Sequence, residues 1–190
     1  MFLKISTFLS FFILVSCQPI ELISPIEISN TNLDRISINA KSLNINLKYN
    51  SIFSDENIES QLNRTPLKIL ESWIKDNIEF FGNQNKFTIN ILDASIFKKE
   101  INNKDAKKYE EKTINLYEVF FLVEYELYDD DGYLLANTMV ESSRSTTSKK
   151  YISINETEII INDLLNRALI DFVNESIKMT NIYMGDYLKN

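Results

Sequence analysis

Residues 117–127 read Tyr-Glu-Val-Phe-Phe-Leu-Val-Glu-Tyr-Glu-Leu. Tyr117, Val119, Phe121, Val123, Tyr125 and Leu127 fall on every second position. A period of two turns these side chains to one face of an extended strand, and no helical period accounts for them. Asp129-Asp130-Asp131-Gly132 follow, a run of turn-forming residues. A second strand then begins at Tyr133, with Leu134, Ala136, Thr138 and Val140 directed at the core. This hairpin fixes the frame, because a strand with one apolar face needs further strands and a covering layer.

The flanking segments supply both. Ile36, Ile38 and Ala40 alternate in one phase, and Leu43, Ile45, Leu47 and Tyr49 in the other. The slip near Lys41-Ser42 predicts a bulge or a bend between two short strands. Thr65 is a candidate N-cap before Pro66. Leu70, Trp73, Ile74, Ile78 and Phe81 then recur at helical spacing, and Gly82 stands where a helix C′ residue belongs. Residues 86–98 predict another strand, with Phe87, Ile89 and Ile91 on one face, and the charged segment 99–112 predicts a loop. Ser153 with Glu156, or Asn155 with Glu158, offers a capping box for a long final helix. Its apolar stripe runs through Ile161, Leu164, Leu165, Ala168, Leu169, Phe172, Val173 and Ile177, and Gly185 closes it. The expected fold is α+β, in the order β-α-β-β-β-α. It has an antiparallel or mixed sheet of about four strands, with two helices on one face.

Composition restricts the chemistry. The 190 residues contain one cysteine and no histidine. An internal disulfide is impossible, zinc-ligand spacing is absent, and Ser-His-Asp or Cys-His catalysis is excluded. The formal charge is −7 with cations scattered along the chain, so attraction to nucleic-acid phosphates is not expected. These features favour a protein that is not an enzyme and needs no cofactor or metal.

The cysteine closes an apolar run. Lys4 precedes Ile5–Val15, which is too short for a membrane span and about right for a signal-peptide core. Leu14-Val15-Ser16-Cys17 resembles the lipobox of bacterial lipoproteins. The resemblance implies cleavage between Ser16 and Cys17, diacylglycerol on the Cys17 sulfur and a fatty acyl group on the new amino terminus. Several acyl chains on one residue anchor a protein stably, at about 0.8 kcal/mol per buried CH₂. Gln18 stands where an aspartate would imply inner-membrane retention, so the expected site is the outer membrane, with the domain facing the periplasm. The alternatives are an ordinary secretory peptide or a buried free thiol. Residues 1–16 are thus read as a signal peptide, 17–33 with Pro19 and Pro25 as a lipidated tether, and 34–190 as one domain.

Four groups of residues invite a functional reading. The Asp129–Gly132 run lacks calcium-loop spacing, since Leu127 stands where an oxygen ligand is needed and Thr138 where a glutamate is needed, so a solvated turn is expected. Glu118, Glu124 and Glu126 share one strand face and read as its solvated side. Phe120 and Leu122 interrupt that face; they lie beneath a helix or loop, or form an apolar partner surface. Ile182, Tyr183 and Tyr187 make the tail apolar, either as core or as a docking strip. Asp93 and Arg144, both at strand ends, are candidates to pair or to cap a neighbour.

The lipobox, the Trp73 helix with Gly82, Ile91-Leu92-Asp93-Ala94-Ser95, the Asp-rich turn, Ser143-Arg144-Ser145 and the terminal helix together resemble small outer-membrane lipoproteins of Gram-negative bacteria. The element order is also similar to that of auxiliary lipoproteins in lipopolysaccharide assembly and in lipid-transport ABC systems, at the level of architecture alone. The lipobox, the absence of histidine and the apolar residues at Phe120, Leu122 and the tail favour a lipid-anchored, non-catalytic accessory protein that binds another envelope protein. The other reading is a lipid- or glycolipid-binding domain, with Phe121, Val123 and Leu164 lining a pocket or filling the core.

Overall fold

The computed structural model describes residues 33–51 and 54–189. The signal peptide, Cys17 and nearly all of the tether lie outside the described residues. The fold is α+β, as expected. A four-stranded mixed sheet in the order β2-β4-β5-β6 comprises β2 (Ser42–Leu47), β4 (Lys86–Asn102), β5 (Thr113–Tyr128) and β6 (Leu134–Lys149). Strand β2 runs parallel to β4, and β5 runs antiparallel to both of its neighbours, β4 and β6. Two helices, α1 (Pro66–Asn77) and α2 (Ile154–Met184), cover one face. A small parallel pair, β1 (Ile36–Asn39) with β3 (Ile78–Phe81), stands beside the main sheet. The phase slip near Lys41 is therefore a bend that sends β1 and β2 into different sheets.

The covered face is the predicted one. Tyr117, Val119, Phe121, Val123, Tyr125 and Leu127 are all buried. Phe172 of α2 meets Phe121 at 5.5 Å between ring centroids and Trp73 of α1 edge-on at 5.8 Å, so one side chain joins sheet, long helix and short helix. The Tyr125 hydroxyl and the Ser176 hydroxyl lie 3.2 Å apart, and Arg144 of β6 pairs with Asp171. Both helices thus sit on the same side. Each large apolar side chain buried here contributes about 1.5–3 kcal/mol. Phe121, Val123 and Leu164 are buried in this core.

The ends of α2 follow the sequence. The Ser153 hydroxyl accepts from the Glu156 amide at 3.2 Å, and the Glu156 carboxylate accepts from the Ser153 amide at 2.8 Å, completing a capping box. Both Ser153 groups hold the Glu156 carboxyl below its ordinary range. Helix α1 starts as expected, with the Thr65 side chain accepting from Lys68. It ends early. The Asn77 side chain is buried and donates to the Trp73 carbonyl at 3.3 Å, and Ile78 turns extended. Residues 78–81 are strand, so Ile78 and Phe81 are not helical and Gly82 is no helix cap. Parallel pairing with β1 overrides the apolar spacing that continued the helix. Gly82 has φ +105°, and a Cβ there would meet Asn39 Oδ1 at 2.2 Å, so glycine is required by the turn from β3 toward β4.

Three smaller corrections concern the long strands. Strand β4 continues through Lys99–Asn102, leaving only residues 103–112 as the loop. It also bulges at Leu92, between the Ile91 and Asp93 pairings. On β6 the register shifts beside Leu135, and Leu134 faces outward, 50% exposed, while Thr138 and Val140 are buried. The Asp129–Gly132 segment is a turn, in which the Asp129 carboxylate accepts from the Tyr133 amide at 2.7 Å.

Candidate functional site: the sheet face opposite the helices

The face turned away from both helices is built by alternate residues of the long strands. Along β5 it presents Ile114, Leu116, Glu118, Phe120, Leu122, Glu124, Glu126 and Tyr128, every one half-buried. Its three parts differ in chemistry.

At one end, Asn90 organises the acids. Its side-chain oxygen accepts from Asn46 Nδ2 at 3.0 Å, and its nitrogen donates to Glu124 at 2.9 Å and Glu126 at 2.7 Å. Lys48 lies 3.7 Å from Glu124. The two carboxylates are therefore held as acceptors in a cross-strand network. Glu118 belongs to a separate group, 3.5 Å from Lys99, which also stands 4.0 Å from Glu56. Alternation placed the three glutamates on one face; it carried no signal for Asn46 and Asn90, whose partners lie on other strands.

In the middle, Phe120 and Leu122 form an apolar band with Phe97, whose ring centre is 6.2 Å from that of Phe120. The register explains it: Phe120 pairs with Ser95 and Ser143, and Leu122 with Asp93 and Glu141, so small or polar neighbours leave the two large side chains upright. Neither α1 nor α2 covers them, because both lie on the opposite face.

Beside the band lies a polar knot. Tyr49 donates its hydroxyl to Glu59, which also accepts from Asn57 Nδ2 at 3.0 Å. Burial, and then the Glu59 carboxylate, push the Tyr49 phenol above its usual range. Burial also raises Asp93, against the hydroxyl and amide of Ser95, which pull it down; Glu59 adds to the rise. Asp93 Oδ1 has no hydrogen-bond partner among the described residues. Asp93 and Arg144 do not pair: Asp93 is opposite Leu122 on this face, whereas Arg144 is opposite Val119 on the helical face and meets Asp171.

The tail residues go elsewhere. Ile182 and Tyr183 are exposed at the end of α2, and Tyr187 packs half-buried against the core. They do not join Phe120 and Leu122 in one surface, since α2 lies across the sheet from them. Leu188 bridges to Ile38, and the Lys189 amide donates to the Ser37 carbonyl at 3.0 Å, so part of the apolar tail completes the β1–β3 pair.

Among the described residues there is no metal-binding cluster of acids and cysteine, and no helix long and apolar enough to cross a membrane. No protein-family model matches the chain, and no curated protein matches it. Among solved structures, a crystal structure of a minor lipoprotein from Acinetobacter baumannii is similar, at 12% identity and a TM-score of 0.41, over 80% of this chain and 98% of that one.

Proposed function

We propose that this chain is a lipid-anchored, non-catalytic accessory protein of the bacterial envelope, held at the outer membrane through Cys17 and acting in the periplasm by binding another protein. The observation that carries the anchor is Leu14-Val15-Ser16-Cys17, closing an apolar run that follows Lys4. Support for binding comes from the band of Phe97, Phe120 and Leu122, set on a stiff sheet and flanked by tied carboxylates. Large apolar side chains framed by charge are how binding surfaces are composed, with a core that loses water and a rim that stays wet.

Metabolic labelling with a palmitate analogue tests the anchor. The full chain takes up label and Cys17→Ser does not; label retained in Cys17→Ser overturns the lipid assignment. A photo-crosslinking residue at position 120, compared with one at 182, tests the surface. A reproducible heterologous adduct from intact envelopes at 120 supports it, and recovery of monomer alone counts against it.

A further inference from the structure

A separate cleft of about 500 Å³ opens on the helical side, between residues 58–64 and the first two turns of α2. Its size is that of a small-molecule site. Ile58, Leu62 and Ile161 give it apolar walls, and Ile154 stands 88% exposed as a fourth apolar residue. A large apolar side chain facing water beside an apolar recess gains from any ligand that covers both.

Eight of the twelve described lining residues carry polar groups, Gln61, Asn63, Thr157 and Asn162 among them. Lys98 Nζ lies 5.9 Å from the centre of the Tyr117 ring and makes no ion pair with another described residue. Arg64, on the same lining, is held by Asn166 at 2.7 Å. Glu158 is the one acid among the described lining residues. Tyr117 itself is 1% exposed, yet its hydroxyl has no hydrogen-bond partner among the described residues. A buried hydroxyl left unpaired is costly, and it is satisfied when a bound group accepts from it.

We propose that this cleft binds a small amphiphile with an apolar body and a single anionic head. The body covers Ile58, Leu62, Ile154 and Ile161. The head meets Lys98 and accepts a hydrogen bond from Tyr117. The Lys98 ammonium favours an anion over a cation, and Glu158 disfavours a head carrying several negative charges. The site is independent of the sheet face, so it stands even where crosslinking at position 120 finds no partner.

The test is calorimetric titration of the full chain in lipid nanodiscs, with empty nanodiscs as the blank and octanoate, octylammonium and acetate as probes. Octanoate binds one to one, while octylammonium and acetate bind at least tenfold more weakly. Tyr117→Phe, which removes only an unpaired hydroxyl and so leaves folding intact, weakens octanoate about tenfold. Lys98→Gln, an exposed change, weakens it a few-fold. Absence of saturable octanoate binding, equal binding of octylammonium, or unchanged affinity in both variants overturns the proposal.

Discussion

Asp93 is the residue whose position in the fold works most clearly against its chemistry. The extra residue at Leu92 turns Asp93 onto the sheet face beside Tyr49 and Glu59, where burial favours the neutral carboxyl. The sign of the pH effect follows. A raised folded pKa means that the folded state binds a proton over a range in which the unfolded state has lost it. The penalty is therefore full above the raised value and vanishes below the ordinary value of 3.8. Asp93→Asn removes it, so the variant unfolds at higher urea than wild type at pH 7. That gap closes as the pH approaches 3.8. A gap that is constant with pH, or widens toward acid, contradicts this account. Nothing in Ile91-Leu92-Asp93-Ala94-Ser95 announced the effect, because a bulge is a property of two strands and only one is visible in that stretch.

At the scale of elements, α2 is the member that holds the others together. Phe172 touches both Trp73 and Phe121, so Phe172→Ala opens a cavity at the junction of three elements. A loss of about 3–5 kcal/mol is expected, read as a fall in the urea midpoint. Ser153→Ala, which removes only the cap of the same helix, provides the comparison at about 1 kcal/mol. The elements that could be read from sequence are those whose local signals agree with their packing. The β5–β6 hairpin alternates over its core-facing residues and turns on Asp129–Gly132, and α2 carries its own cap and stripe. Strand β3 could not be read, because Ile78 and Phe81 also satisfy helical spacing and the deciding partner, β1, is 42 residues earlier. The end of β4 was hidden for the opposite reason: Lys99 and Glu100 look like loop, but pairing with Leu116 and Asn115 keeps them extended. For the candidate face, the sequence placed Phe120 and Leu122 together, whereas the Asn90 network and the Tyr49 knot depend on contacts between strands.

The whole molecule closes on itself. Ile38 lies between Phe80 on one side and Leu188 on the other, so the first strand and the last described residues share a seam. A permuted chain that joins residue 189 to residue 33 through a short Gly-Ser linker and opens between Asp130 and Asp131 should retain the fold. The new ends lie in an exposed turn, and the cost there is limited to surface contacts such as Lys41–Asp130. Circular dichroism with a single cooperative urea transition is the expected result. Under the anchoring proposed above, the same seam has a mechanical meaning. Tension on the tether enters at Ile36–Asn39 and meets the hydrogen bonds to Ile78–Phe81 and Lys189 before it reaches the four-stranded sheet. The seam would then act as a fuse, parting under load before the long strands and α2 lose their shape.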